Sequence, residues 1–368
     1  MENFAHTLLG LSFAKAGLER ATPLGTTALV VASNLPDIDV LPRSLLGGTS
    51  AYLEYHRGFT HSFVGLALLA LIITLLLTWI DRRFRLRRDH RHRPMRPFRL
   101  FWLTYAGGLG HTFMDFTNNY GVRPLLPFSR RWFYGDVVFV IDPWIWLILG
   151  SAVFWLTTTS RGRALVWLLI GVVSSLIMAL ALQQGAQGMG ALPGVVRLVW
   201  FAGLGVVVIG GLRGWGRQGE RLARYSLLVL ALYYGGMWMA HQSALKRAGD
   251  PPPTEEVRKL AAWPTPANPA IWQAAASGDE AAFVRAIHLR DHDGDWLKQP
   301  ALDARFIEAL RQSRDGQVFL DFARFYAAEV EESSEGYTIT LRDLRFDLRL
   351  RAQLDHDLNV LTTETRWF

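Results

Sequence analysis

Apolar and polar positions divide the chain into two halves of different character. Residues 4–20 and 23–34 are apolar and helix-prone but short, with Pro23 suited to a first helical turn and Leu35-Pro36-Asp37-Ile38-Asp39 as a stop. At 1.5 Å per residue the first reaches about 25 Å against a hydrocarbon core of roughly 30 Å, so the two predict short spans or a re-entrant pair. Residues 40–59 are polar and contain glycine, which predicts a loop. Residues 60–80 form the first long apolar run, with no charge after His61. It ends in Asp81-Arg82-Arg83-Phe84-Arg85-Leu86-Arg87-Arg88, and a loop so basic is expected to stay cytoplasmic.

Further apolar runs at 100–117, 137–156, 164–182, 195–212 and 225–240 predict helices that cross alternately. Arg161 and Arg163, then Arg213, Arg217, Arg221 and Arg224, fall on the same side as the first basic loop, while Arg123, Arg130 and Arg131 lie in an outer loop. The pattern predicts a mainly α fold: a polytopic membrane helical bundle of about six to eight membrane helices over residues 1–248. Prolines at 251–253, 264, 266 and 269 predict a stiff linker over 249–270. Residues 271–368 then predict a soluble C-terminal α+β domain on the periplasmic side, with helices at 271–288 and 301–312 and strands at 318–325, 337–341, 346–350 and 359–363.

Composition agrees with a membrane protein, since half of the 368 residues are hydrophobic and 14 are Trp. The chain has no Cys, which excludes disulfides and thiolate zinc sites, so a metal here must be held by His and carboxylate. The net charge of +7 comes from arginines between apolar runs, where orientation in a bilayer accounts for it. No nucleic-acid partner is expected; membrane lipids are, and oligomeric state is left open. Met1 to Leu11 lacks the basic start and cleavage site of a signal peptide. Zincin, serine-hydrolase and P-loop motifs are missing.

The topology carries polar residues from separate segments to one depth, the outer interface: His6, Asp37, Asp39, His56, His61, His111 and Asp115. Ionisable groups in a membrane are costly and mark functional sites. His111 and Asp115 stand four residues apart and so share a helix face, while His56 and His61 flank Gly58 at a bend. A set of this size suits two divalent ions, Zn²⁺ first and Mn²⁺ or another next. Asp39 is expected as ligand or general base, and Arg57 as a bidentate grip on phosphate. Asn118 and Asn119 are candidates for orienting substrate, Asp142 for a helix cap or a supporting carboxylate, and His241 for an interfacial histidine. A metal site level with lipid headgroups predicts hydrolysis of a phosphoester in a phospholipid or lipid-linked substrate at the outer face of the inner membrane. A divalent-cation transporter using the same residues, and an envelope adaptor with a structural metal, are the alternatives.

His6, Asn34-Leu35-Pro36-Asp37-Ile38-Asp39, His56-Arg57-Gly58-Phe59-Thr60-His61-Ser62 and Gly110-His111-Thr112-Phe113-Met114-Asp115, followed by Gly121 and Pro127-Phe128-Ser129, carry a family likeness. Through them Met1 to about Asp142 resembles the YdjM-like, LexA-regulated inner-membrane proteins of bacteria. That resemblance implies metal dependence and hydrolase activity and gives no substrate.

Overall fold

The structure, a computed structural model, describes residues 2–41, 48–85, 93–185, 193–249, 259–278, 281–289 and 292–367. The helices are α1 (Asn3–Lys15), α2 (Gly25–Ala32), α3 (Gly48–Tyr55), α4 (Phe63–Ile80), α5 (Pro97–Phe116), α6 (Pro143–Thr157), α7 (Arg161–Gly185), α8 (Pro193–Leu212), α9 (Glu220–Ala248), α10 (Ala304–Leu310) and α11 (Arg314–Phe322). The strands are β1 (Lys259–Thr265), β2 (Asn268–Ser277), β3 (Ala281–His288), β4 (Leu297–Pro300), β5 (Tyr326–Ser333), β6 (Gly336–Asp343), β7 (Leu348–Leu354) and β8 (Val360–Trp367). Two compact units result. One holds Met1–Ile38, Arg57–Met239 and Thr265–Pro269, and the other Asp39–His56, Ala240–Pro264 and Ala270–Phe368.

The first unit is helical and is built around α5, which packs on α1, α2 and α4. Pro97 opens α5 at a position where its missing N–H costs nothing. Close approach is possible because Gly107 and Gly108 carry no side chain: a Cβ there would lie 3.0 Å from Ala32 and 2.9 Å from Leu66. Small residues let helices in lipid come together in this way. Local chemistry sets the other starts. Glu2 caps α1 by accepting from Ala5 N, Ser62 caps α4 by accepting from Gly65 N, and Asp142 caps α6 by accepting from Trp144 N.

Among the described residues, Phe63–Phe84, Arg161–Leu180 and Gly194–Leu212 are long and apolar enough to cross a membrane. The expectation of six to eight spans is therefore not supported beyond these three. At 13 and 8 residues, α1 and α2 reach only about 20 Å and 12 Å, too short to cross alone. The run at 137–156 becomes a helix only from Pro143, because Asp142 caps it there, and its 15 residues also fall short. The loop expected over 40–59 contains α3, and part of the basic loop, residues 86–92, lies outside the described residues.

In the second unit two four-stranded sheets run β1-β2-β3-β4 and β5-β6-β7-β8, each in sequence order. β2 pairs antiparallel with β3, setting Trp272 opposite Ile287, and β5 to β8 form an antiparallel meander. Trp263, Ala275, Ala282, Phe325 and Leu344 are buried together. Three expectations fail here. Residues 271–288, read as one amphipathic helix, form most of β2 and all of β3. Their alanines favour helix locally, but Ser277-Gly278 breaks the run, and burial of neighbouring positions such as Ala274, Ala275 and Ala276 belongs to a covered strand. Residues 318–325, read as a strand, lie mostly in α11. There Ser313 accepts from Gly316 N, and Gly316, Phe319 and Phe322 are buried at helical spacing. Residues 259–265, read as linker, form β1; residues 250–258 lie outside the described residues.

Candidate metal centre

The turn Leu35–Val40 supplies Asp37, the turn Phe59–His61 supplies His61, and the last two turns of α5 supply His111 and Asp115. Each local structure has a reason. Four residues of helix carry His111 and Asp115 onto one face. Ser62 Oγ donates to Phe59 O at 2.7 Å while accepting from Gly65 N at 3.0 Å, which folds the turn against the start of α4. Thr112 Oγ1 donates to His61 O at 3.3 Å, tying that turn to α5. A Cβ at Gly65 would sit 1.8 Å from Phe59 O. Gly65→Ala is therefore expected to push the Phe59–His61 turn out of place, lowering stability by on the order of 1–3 kcal/mol and weakening metal retention. Thermal unfolding and metal analysis of the detergent-purified variant measure both.

One donor atom from each of Asp37, His61, His111 and Asp115 lies within 4.8 Å of the others. His61 Nε2 is 3.0 Å from His111 Nε2, 3.4 Å from Asp37 Oδ1 and 3.2 Å from Asp115 Oδ2. His111 Nε2 is 3.5 Å from Asp37 Oδ1 and 3.3 Å from Asp115 Oδ2. The four nitrogen-to-oxygen separations exceed the roughly 2.9 Å of a good N–H···O bond. They match the edges of a tetrahedron whose corners lie 2.0–2.1 Å from a central ion, which are about 3.3 Å long. His61, His111 and Asp115 are fully buried, and Asp37 is 7% exposed.

Orientation supports the same reading. His111 Nδ1 lies 2.8 Å from Ser33 O, and a carbonyl only accepts, so Nδ1 carries a proton and Nε2 is the nitrogen turned toward the tetrad. Burial pushes the Asp37 carboxyl up, but its contacts with His111 and His61 outweigh burial and hold it below the ordinary carboxylate range. Asp37 is thus an anion at neutral pH. The buried Arg57 guanidinium offsets the charge of one carboxylate, Asp115, and a divalent ion would offset that of Asp37.

The remaining sequence candidates make other contacts. His6 is buried and stacks on His111 with ring centroids 3.7 Å apart; its Nε2 lies 3.5 Å from Asp115 Oδ1, the oxygen facing away from His61 and His111. Asp39 and His56 pair with one another, Nδ1 to Oδ1, at 2.8 Å, and Tyr52 stacks on His56 at 4.6 Å. Arg57 is turned inward and only 2% exposed. Its Nη2 meets Asp115 Oδ1 at 2.9 Å, Nη1 donates to Asn118 Oδ1 at 2.9 Å, and the guanidinium lies 4.4 Å over the Tyr120 ring. Nη1 also lies 3.3 Å from Asp115 O and 3.4 Å from Gly121 O. The expected grip of Arg57 on a substrate phosphate is accordingly corrected: its fork is occupied by the protein. The backbone takes part, since Arg57 adopts φ +54, a left-handed conformation that side chains seldom accept.

Asn118 holds Arg57 and accepts from Tyr120 N, and Asp142 caps α6 while accepting from Tyr233 Oη at 2.7 Å. His241 stacks on Trp272. In the loop between α5 and α6, Arg123 lies over Trp132 and Arg131 over Phe133. Ser33 escaped the sequence reading because it contributes a backbone carbonyl, which has no side-chain signature.

Residues 1–186 match the family described as YdjM inner membrane protein, and residues 305–368 match the YfhP C-terminal alpha/beta plait domain. The uncharacterized protein YfhP of Bacillus subtilis (strain 168) is 28% identical over 158 residues, which cover 42% of this chain and 44% of that relative. The chain thus spans less than half the length of the curated relative it matches. No solved structure matches it.

Proposed function

We propose that this chain, which belongs to the YdjM inner membrane protein family, is a metal-dependent hydrolase of a phosphoester in a phospholipid or lipid-linked substrate. The observation that carries the reading is the tetrad of Asp37, His61, His111 and Asp115, whose donor atoms approach at tetrahedral edge lengths. His and carboxylate are the donors that zinc and manganese accept in the absence of thiolate. A divalent ion there supplies Lewis acidity toward a phosphoryl oxygen and makes water a stronger acid.

The chain's own residues do the rest. Ser33 O and the α5 backbone aim His111, and Arg57 holds one oxygen of Asp115 so that the other faces the tetrad. Substrate approaches past Asp37, the most exposed member. Asp39 and His56 stay in the proposal from the sequence alone, while His6 supports Asp115 beside the tetrad. The tetrad is proposed to hold one of the two ions that the sequence predicts. A periplasmic site is proposed from the distribution of arginines alone.

The test uses the full chain in phospholipid vesicles with added Zn²⁺ or Mn²⁺. Release of a phosphorylated headgroup or of diacylglycerol is expected, abolished by chelation and by Asp37→Ala. Metal-loaded protein that cleaves no phosphoester overturns the reading, and cation flux in its place favours transport.

A further inference from the structure

A cavity of about 640 Å³ opens among α6, α7 and α8 and reaches Phe4 of α1. Its size falls within the roughly 300–1,000 Å³ of small-molecule sites. Trp146, Phe154, Trp200 and Leu204 are among its walls, and among the described residues no charged side chain lines it. Its hydroxyls are those of Ser151, Ser174 and Ser175, and each is spent on its own helix, donating to Ile148 O at 2.9 Å, Ile170 O at 2.7 Å and Gly171 O at 2.8 Å. The Trp200 indole donates to Ser175 Oγ at 3.1 Å. The cavity offers a ligand few hydrogen-bonding groups, so a polar occupant would lose more contacts with water than it regains, and the lining favours hydrocarbon.

Two further features distinguish the cavity from an ordinary cleft between membrane helices. Ala267, within the Thr265–Pro269 segment of the same unit, is buried against Trp200 with Leu147 and Leu204 alongside, and all three line the cavity. Trp144 Nε1 donates to Ala267 O at 3.1 Å, and Ala267 adopts φ +60, so a strained turn is pinned over this wall. The second feature is its neighbour. Phe4 lines the cavity and packs edge-to-face on Trp146 at 5.7 Å, while His6, two residues on, touches His111 and Asp115. Two residues turn a helix by about 200°, so the first turn of α1 has the cavity on one side and the metal centre on the other, about one helix diameter (roughly 10 Å) apart.

We infer that this cavity binds one acyl chain of a membrane glycerophospholipid, holding the tail on one side of α1 while the phosphate reaches the metal centre on the other. The inference deepens the lipid phosphoester reading and rests on it for the destination of the headgroup. The occupancy itself requires neither metal nor turnover.

Gly171 provides the test. It lines the cavity on α7, and a Cβ added there meets nothing within 4 Å. Gly171→Phe fills the space while improving helix propensity. Gly235 on α9 also has open space and lies away from the cavity, so Gly235→Phe is the control. The full chain is placed in phosphatidylethanolamine vesicles doped with phosphatidylglycerol that carries a diazirine in one acyl chain, irradiated, and mapped by peptide mass spectrometry. Crosslinks are expected to concentrate on α6, α7 and α8, to fall about tenfold in Gly171→Phe, and to persist in Gly235→Phe and in His111→Ala. Labelling spread equally along the lipid-facing side of α4, or undiminished by Gly171→Phe, overturns the inference. Labelling by a prenyl phosphate analogue in place of the acyl lipid overturns the choice of chain. Concentrated labelling without hydrolysis sinks the enzymatic reading alone, and hydrolysis without it sinks this one alone.

Discussion

Alanine at position 111 is expected to abolish divalent-metal binding at the proposed site, and with it the proposed hydrolysis. His111 contributes Nε2 to a set of four donor atoms: it lies 3.0 to 3.5 Å from the donor atoms of His61, Asp115 and Asp37, and its ring is fixed by Ser33 O. Loss of an outer supporting group typically costs about 10–100-fold in metal affinity or activity, and loss of a direct ligand should exceed that. Bound divalent metal in detergent-purified protein should fall toward none, with Asp37→Ala behaving alike. Helicity by circular dichroism should be retained, because alanine is the strongest helix former and keeps the α5 backbone helical. Unchanged metal content in both folded variants would remove the metal centre and the enzyme with it.

Removal of the guanidinium at Arg57 should have the second largest effect, and on stability before turnover. Arg57→Met keeps the length of the side chain and leaves Asp115, fully buried, without its cationic partner. Breaking a buried pair by removing one member costs about 3–5 kcal/mol, since a charge remains unpaired in a low-dielectric site. Arg57→Lys should recover only part of this, because an ammonium cannot meet Asp115 and Asn118 with a planar fork or lie over Tyr120 in the same manner. A large drop in unfolding temperature for the Met variant, with partial recovery for Lys, is the expected pattern. A residue that grips substrate would behave differently, raising KM while leaving the unfolding temperature alone.

Much of the centre was legible along the chain, and the reasons are specific. His111 and Asp115 share a helix face by spacing alone, and ionisable groups bordering apolar runs declare themselves because lipid penalises them. Asp37 and His61 were visible as polar residues at the ends of such runs. Less legible was the direction in which each side chain points. Asp37 and Asp39 stand two residues apart, yet one faces His61 and His111 while the other pairs with His56. Arg57 looked like a free cation beside a site, and only its left-handed backbone and the positions of Asp115, Asn118 and Tyr120 turn it into an internal brace. The β2-β3 hairpin was missed because alanine-rich sequence favours helix locally, whereas pairing between strands is a contact at a distance.

Hydrophobic periodicity, the absence of cysteine and the placement of His and Asp determined by themselves that this is a membrane-associated helical chain with an oxygen and nitrogen donor set, because transfer of a side chain from water is a property of that residue. Which donors converge at 3.0–3.5 Å, which arginine supports them, and where an acyl-sized cavity opens were decided by packing of α5 against α1, α2 and α4 and of α6 against α7 and α8. Distances between atoms remote in sequence depend on how helices close upon one another, and glycines, caps and buried pairs set that closure only once every partner is in place.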